Sequence, residues 1–288
     1  MSYRDSVLEA IRDMPRLPSS TSNLLKLLQN PEMDADAVCK AITFDPVLTG
    51  LVLGVANSAL LAGRVEVASI RGAVLRLGHK RLISTVLSAA VGPKLQSSSM
   101  TCYDTRPGSL WEQSVGMAMC AEEMALLSAI VNPADAFTVG LLADVGKLGM
   151  ASITAQHAPE LVERTLQQEL SFDSAERAVL DIDHPEAGAL LLTHWGLPTS
   201  IVEPVQWHHR PDQCSLEYQS MADIVHLAQY VCGQLGIVMG FDEMHMELQS
   251  ESMERLYLTD NDLDLALFSI EKKLDGVMRA FGVGRAAA

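Results

Sequence analysis

The sequence predicts an all-α protein, and three observations lead to that prediction. Apolar residues recur at three- and four-residue spacings in almost every segment of the 288-residue chain, as they do on the buried face of a helix. No segment convincingly alternates apolar and polar residues over the length of a strand. Aromatic residues make up only 5% of the chain whereas Met occurs 14 times, a composition that favours helices packed on helices.

The first predicted lobe comprises residues 1–106, and short breaks divide its helices. Asp34 and Asp45 are expected N-caps, because a carboxylate oxygen can accept hydrogen bonds from the free N–H groups of a first turn. Gly78 is expected to end one helix in a left-handed conformation, and Gly92-Pro93 is expected to weaken the next. The predicted helices are a short one through Val7 and Ile11, one capped within Ser19–Ser22, one from Asp34 to Phe44, one from Pro46, and the pair Ser69–Leu77 and Lys80–Val91.

The second predicted lobe comprises residues 107–288, after a boundary placed within the Gly-, Pro- and Ser-containing residues 92–108. In its last helix, which Thr259 or Asp260 caps, apolar residues spaced 4-3-4-3-4 form one seam. We expect this seam to pack on the chain's own core, with a homodimer contact as the alternative. The seam consists of Leu263, Leu267, Ile270, Leu274, Val277 and Phe281. The other predicted helices lie near 110–127, 134–151, 158–169, 173–180, 184–194, 198–208 and 217–235, and residues 239–256 give no clear signal.

The charge and cysteine content exclude several classes of function. A formal net charge of −15 repels nucleic acid and anionic membranes, which bind proteins through Lys and Arg. Five scattered cysteines without a CxxC spacing indicate reduced thiols in a cytoplasmic protein. Charged residues interrupt the N-terminus too often for a signal peptide. The uncharged residues 46–63 are expected to form a fully buried helix and its following turn rather than a membrane span.

Two segments resemble functional motifs without meeting their requirements. Gly140–Lys147 has five residues between its glycines, and Leu148 replaces the Ser or Thr of a phosphate loop. The helix pair around Gly78 carries a small basic group, for which we expect a solvated helix face. A nucleic-acid-associated regulator remains the alternative there, although recognition needs a larger basic face. The group consists of Arg71, Arg76, Lys80 and Arg81.

One carboxylate and several histidines stand out in the second half of the chain. Asp144 lies in the apolar segment Leu141–Leu148, where an ionised carboxylate is costly to bury unless it is paired, hydrogen-bonded or metal-bound. His184, His208 and His209 occur where predicted helices begin or end. Imidazole and carboxylate groups together suit divalent transition metals. Two further histidines of this half are His194 and His226.

Four segments together resemble the HDOD domain of bacterial signalling proteins, a non-catalytic relative of the HD and HD-GYP metal-dependent phosphohydrolases. They are "LPSSTSNLLKLLQNPEMDADAVCKAITFDPVLTGLVLGVANSALL", "SIRGAVLRLG", "LLADVGKLG" and "DHPEAGALLLTHWGLPTSIVEPVQWHHRP". The resemblance is specific because the segments match in order from about Leu17 to about Tyr230, and it leaves residues 231–288 outside. It implies a two-lobed helical protein whose second lobe is a degenerate HD-like bundle with a C-terminal helical extension.

The resemblance also implies that one metal position has lost most of its ligands. HD phosphohydrolases hold a metal with a His, an adjacent His-Asp pair and a distant Asp. At the matching positions this chain has Gln113, then Ala143 followed by Asp144, and then Gln229, so only Asp144 remains. Alanine cannot bind a metal and a glutamine amide is a weak ligand, so no metal-activated water is expected. The resemblance therefore implies that the protein is not an enzyme.

The three remaining histidines leave two interpretations open. His184, His208 and His209 match positions that hold a second metal in the HD-GYP enzymes. With Asp144 they could form a residual site for one divalent ion, Zn, Fe or Mn. We expect a hydrogen-bonded polar cluster without a cofactor, with the bound metal as the alternative. Lys147, which lies near a phosphate in the catalytic relatives, is expected to reach solvent from the helix end.

The resemblance implies a regulatory role in bacterial signal transduction. HDOD domains often lie beside other signalling domains, so the expected partners are other signalling proteins and the expected activity is protein–protein contact. The expected location is the cytoplasm. The alternative is a divergent metal-dependent phosphohydrolase that uses Asp144, His184, His208 and His209 on a phosphoester.

Overall fold

The computed structural model of the chain describes residues 2–30, 34–58, 61, 66–97, 107–237 and 248–283. Within these residues every regular element is a helix and none is a strand, which confirms the predicted all-α class. The first helices are α1 (Tyr3–Asp13), α2 (Ser19–Gln29), α3 (Ala35–Thr43), α4 (Pro46–Ala56) and α5 (Ile70–Ser97). They are followed by α6 (Ser109–Ser128), α7 (Pro133–Leu142), α8 (Gly146–Gln156), α9 (Ala158–Gln168), α10 (Phe172–Leu180), α11 (His184–His194), α12 (Thr199–Trp207), α13 (Gln219–Gln234), α14 (Ser250–Leu256) and α15 (Asp260–Ala280).

Local capping chemistry explains where several of the early helices begin. The Oδ1 atom of Asp34 accepts hydrogen bonds from two backbone N–H groups at the start of α3. Asp45 does the same for α4, in which Pro46 occupies the first helical position and needs no acceptor. These two predicted caps are confirmed. The predicted cap within Ser19–Ser22 is wrong, because those residues are already helical and the N-cap of α2 is Pro18.

The long helix α5 differs from the prediction at its C-terminal end. Gly78 has a left-handed φ of 69° and breaks the helical backbone, as predicted. The helix then continues through Gly92 and Pro93 to Ser97, where a weakened pattern was expected. This part of the helix packs closely on α6, because a Cβ added to Gly92 would lie 3.2 Å from the Trp111 ring. The rest of the predicted lobe boundary, residues 98–106, lies outside the described residues.

The prediction of one helix over 134–151 is wrong. Helix α7 ends at Leu142, residues 143–145 form a turn, and α8 begins at Gly146. Asp144 therefore lies in a tight turn between two buried helices instead of within a helix. This turn matters for the site because it directs α8 against α11, the helix that begins at His184.

One continuous hydrophobic core extends from α1 to α15. The last helix packs on this core as expected: the indole N–H of Trp111 donates a 2.8 Å hydrogen bond to the carbonyl of Phe281, and the Phe281 ring contacts Phe137. Of the predicted seam, Leu267 is half-buried and the other members are buried. The seam thus packs on the hydrophobic core of the same chain. The homodimer contact stays an untested prediction.

Two sequence expectations about exposure are corrected by the structure. The uncharged residues 46–63 are not fully buried, because Val47 on α4 is 69% exposed. The basic group on α5 is a solvated face only in part: Arg71 is exposed, but Arg81 is buried, pairs with Glu122 and lies 4.3 Å above the Phe137 ring. Arg71 and Lys80 also pair with carboxylates, those of Asp36 and Asp135.

Membrane-length apolar segments are scarce in the described chain. One stretch, Pro133–Gln156, is long and apolar enough to cross a membrane, and 83% of its most apolar window is buried inside the fold. The bent pair α3 and α4 passes the same test only if the two helices are taken as one span. The four cysteines in the described residues are free thiols, whereas Cys102 lies outside those residues.

Candidate functional site

The structure brings the four predicted metal-ligating residues together. Asp144 comes from the α7–α8 turn and His184 is the first residue of α11. His208 is the C-cap of α12, and His209 follows it. We call these four residues the histidine cluster. Residues separated by up to 65 positions in the sequence thus meet where three helix ends converge.

Two local features of the sequence position His184 at its helix start. Asp183 is the N-cap of α11, and its Oδ1 atom accepts a hydrogen bond from the backbone N–H of Glu186. Gly146 allows α8 to approach the same helix, since a Cβ on that residue would lie 2.0 Å from the carbonyl oxygen of His184. Only glycine permits this approach without a shift of one helix.

The nitrogen atoms of the cluster converge on a small volume. One ring nitrogen from each of His184, His208 and His209 lies within 4.8 Å of the corresponding atoms of the other two. The Nε2 atoms of His184 and His209 are 3.1 Å apart, and Asp144 Oδ1 lies 3.3 Å from His184 Nε2. Asp144, His184 and His208 are buried, and His209 is half-buried. The arrangement is therefore a polar cluster that lies mostly inside the fold.

Glu176 of α10 controls the protonation of His184. Its Oε2 atom lies 2.7 Å from His184 Nδ1 and also accepts a hydrogen bond from the His184 backbone N–H. Burial alone would lower the pKa of His184, but the carboxylates of Glu176 and Asp144 raise it to about 10. His184 is thus an imidazolium at neutral pH, held between two carboxylates. Glu176 is not among the residues predicted from the sequence, because its helix carries no local signal for this role.

Lys147 is the second cation of the site, and the prediction that it reaches solvent is wrong. The side chain is fully buried, and its Nζ atom lies 2.8 Å from Asp144 Oδ1. Burial of Asp144 opposes its ionisation, but Lys147 and His184 outweigh that effect and hold the pKa of Asp144 well below its ordinary value. The buried carboxylate is therefore ionised and compensated by side chains of this chain itself.

His208 and His209 are neutral in this environment. Burial is the main cause that lowers the pKa of both, to about 4 for His209 and well below the ordinary value for His208. His208 Nδ1 lies 2.7 Å from the carbonyl of Val205, to which it donates, so Nε2 carries the lone pair. That Nε2 atom is buried and has no hydrogen-bond partner among the described residues.

The donor set fits a divalent transition metal in its chemistry. Three imidazole nitrogens and one carboxylate are common ligands of such ions, and the orphaned His208 Nε2 is the kind of buried atom that a metal would satisfy. Glu176 and the Val205 carbonyl would supply the outer hydrogen bonds that orient His184 and His208. Binding would have to displace the proton of His184 and compete with Lys147 for Asp144.

The other predicted residues lie in different surroundings. His226 on α13 contacts the backbone of the cluster, since its Nδ1 atom is 3.0 Å from the His208 carbonyl oxygen. His194 is at the opposite end of α11 from His184 and contacts the carbonyl of Met14. Gln113 and Gln229 are buried on α6 and α13, two helices that pack together.

Ion pairs stabilise the segment around the cluster. Asp183 pairs with Arg177 and Arg210, and Arg177 also pairs with Glu186. Glu186 contacts Arg4 as well, which links α1 to the start of α11. These contacts join the first helix of the chain to the elements that carry the histidines.

Comparison with known proteins identifies the family. The HDOD domain profile matches residues 14–211 of the chain. An uncharacterised protein of Treponema pallidum (strain Nichols) is 26% identical over 230 residues, which are 77% of this chain and 43% of that protein. The chain thus spans less than half the length of this curated relative.

Solved structures with the same fold come from other bacteria. An HDOD domain protein of unknown function from Geobacter sulfurreducens is 22% identical, with a TM-score of 0.72 over 96% of this chain and 97% of that one. A "Putative phosphohydrolase" from Shewanella amazonensis is 24% identical, with a TM-score of 0.73 over 96% and 98%. A "Putative signal transduction protein" from Marinobacter aquaeolei is 20% identical, with a TM-score of 0.75 over 97% and 65%. At these identities the likeness establishes the fold alone.

Proposed function

Because this chain belongs to the HDOD domain family, we propose that it is a non-catalytic module of bacterial signal transduction that acts in the cytoplasm through contacts with other proteins. The observation that carries the proposal is the buried ion pair between Lys147 and Asp144, 2.8 Å apart. The family resemblance implies that the Asp144 carboxylate is a metal ligand. In this pair the ammonium group of Lys147 supplies the positive charge next to that carboxylate.

The chemistry of the pair argues against hydrolysis at that position. A metal ion would lower the pKa of a bound water and so supply hydroxide near neutral pH, which a lysine ammonium cannot do. At the other ligand positions that the resemblance implies, this chain has Gln113, Ala143 and Gln229. None of these residues provides an anionic or imidazole donor. A regulatory role is further supported by the shared fold of the Marinobacter protein that is named for signal transduction.

The first test measures metal content and turnover. The purified protein is analysed for bound Zn, Fe and Mn, and is then assayed on model phosphoesters with added manganese or iron. We expect no turnover above the level of the His208→Ala variant. Robust hydrolysis that this variant loses would overturn the non-catalytic role.

The second test identifies a partner. The tagged chain is used for affinity capture from its native cells, and each protein found by mass spectrometry is purified and titrated against the chain. We expect at least one signalling protein to bind directly. If no captured protein binds the purified chain, the proposed mode of action fails.

A metal-dependent phosphohydrolase is the second candidate, and one observation favours it. His184, His208 and His209 converge within 4.8 Å, and the buried His208 Nε2 lacks a partner among the described residues. These three histidines with Asp144 would hold the metal, which would supply Lewis-acid chemistry when bound. The native protein could instead bind one equivalent of metal that His208→Ala does not bind, and show no turnover. That result would assign a structural ion to the cluster.

A further inference from the structure

A polar groove lies between α2 and the C-terminal end of α11, at the opposite end of α11 from His184. Its volume is about 590 Å³, within the range of pockets that hold small molecules. We call it the basic groove. Its polar lining includes Arg16, Lys26, His194, Ser19, Ser22 and Asn23.

The charge of the basic groove differs from that of the whole chain. The chain carries 36 acidic against 21 basic residues, yet none of the described residues that line the groove is Asp or Glu. Arg16 and Lys26 are exposed. Lys94 of α5 adds a third cation at one side, with its Nζ atom 5.3 Å from the centre of the Trp195 ring. Cations without facing carboxylates favour an anionic ligand.

Hydrogen-bond donors accompany these cations. The N-cap of α2 is Pro18, which makes no side-chain hydrogen bond to the first turn, so the positive end of the helix dipole is not capped by a side chain. Trp195 lines the groove and is only 7% exposed, and its indole N–H has no acceptor among the described residues. An anion would bring an acceptor, which the Trp195 indole N–H lacks among the described residues.

A Schellman motif ends α11 beside the groove and engages two of its carbonyl groups. Gly196, with φ of 77°, ends the helix in a left-handed conformation. The N–H groups of Gly196 and Leu197 donate to the carbonyls of Thr193 and Leu192, which is the Schellman pattern. The carbonyls of Leu192 and Thr193 are therefore engaged within the helix end.

We propose that the basic groove binds a small molecule that carries phosphate or carboxylate groups. The anionic groups lie against Arg16 and Lys26, and the organic part contacts the apolar side chains of Leu17, Leu25 and Leu197. The proposal goes beyond the regulatory function, because it adds a binding site for a small ligand between α2 and α11. It does not depend on a protein partner or on a metal in the histidine cluster.

The test uses isothermal titration calorimetry of the full chain with pyrophosphate and with citrate as probes. We expect saturable binding of at least one probe, weakened at higher salt concentration. The double variant Arg16→Gln/Lys26→Gln should bind at least tenfold more weakly. The matched control Lys40→Gln/Lys272→Gln removes the same charge from exposed residues outside the groove and should bind within twofold of the native chain.

Three results would overturn the proposal. One is the absence of saturable binding of either probe at millimolar concentration by the native chain. Another is an equal loss of affinity in the groove variant and the control, which would indicate a general charge effect. The third is binding of a hexaglutamate peptide but of neither small probe, which would assign the groove to an acidic protein segment. Thermal unfolding of each variant establishes that it is folded before it is titrated.

Discussion

At the scale of single residues, the ion pair between Lys147 and Asp144 is expected to matter most for the stability of the protein. Both side chains are buried, so neither charge can be compensated by water if the other is removed. The loss of one partner of a buried pair is strongly destabilising, whereas the joint replacement of both can be nearly neutral. The stability of variants therefore reports whether Lys147 supplies the compensating charge.

Lys147→Met should lower the free energy of unfolding by about 3 kcal/mol. The double variant Asp144→Asn/Lys147→Met should recover much of this loss, since no unpaired charge then remains. Urea unfolding of the two single variants and the double variant gives the coupling energy. A coupling energy close to zero would contradict the assigned role of Lys147.

A second prediction at this scale concerns pH and Cys214. Burial, together with the carboxylate of Glu203 3.7 Å from Sγ, raises the pKa of the Cys214 thiol to about 12. The pKa in the folded protein exceeds the ordinary value of 9, so the stability from this thiol is present below pH 9 and is lost as the pH rises towards 12. Because only the thiolate reacts, alkylation of native Cys214 should be slow at pH 9.

Glu203→Gln tests this prediction because it keeps an acceptor for the Ser215 N–H but removes the charge. The rate of iodoacetamide modification of Cys214 at pH 9 should rise about tenfold, as expected for a fall of about one unit in its pKa. Peptide mapping by mass spectrometry measures this rate, with Cys39 as the internal control. An unchanged rate at Cys214 would show that Glu203 does not act on the thiol.

At the scale of helices, the contact between α8 and α11 positions His184. Gly146 sits where any side chain would meet backbone atoms of α11: its added Cβ would be 2.0 Å from the His184 carbonyl oxygen and 2.3 Å from the Gly188 nitrogen. Backbone atoms cannot move aside as a flexible side chain can. One helix would have to shift, and the histidine cluster would shift with it.

Gly146→Ala should therefore destabilise the protein by about 3 kcal/mol. Gly50→Ala is the matched control, because Gly50 lies within helix α4 and an added Cβ would have no neighbour within 4 Å. The control should be neutral or more stable by about 0.5–1 kcal/mol, as Ala favours the helix. Urea midpoints measure both. A Gly146→Ala chain as stable as the native one would refute the close contact.

At the scale of the whole molecule, the last helix completes a core that begins near the N-terminus. The family profile ends at residue 211, but α13 packs on α6 and α15 covers Trp111. Trp111, only 3% exposed, contacts Phe281 through a hydrogen bond and a ring contact. Residues outside the profile are thus part of the same hydrophobic core.

A chain ending at Leu258 should lose cooperative unfolding and bind a hydrophobic dye, because it exposes the surface that α15 covers. A chain ending at Val283, which keeps all of α15, should behave like the native protein. Urea denaturation followed by tryptophan fluorescence distinguishes the two. Cooperative unfolding of the shorter chain would show that α15 is an accessory element.

Features that depend on neighbouring residues were predictable from the sequence. The helical class, the caps at Asp34 and Asp45 and the left-handed Gly78 follow from side-chain periodicity and local hydrogen bonding, which act over a few residues. The resemblance to the HDOD domain selected the residues of the histidine cluster, although it could not give their distances.

Features that depend on distant residues required the folded chain. Lys147 carries no sequence signal for burial, and Glu176 becomes a partner of His184 only because α10 and α11 meet. Helix α5 continues past Pro93, and its contact between Gly92 and Trp111 joins residues far apart in the sequence. Local periodicity thus determines which segments are helical, whereas the protonation and pairing of buried groups depend on which charges packing brings within a few ångströms.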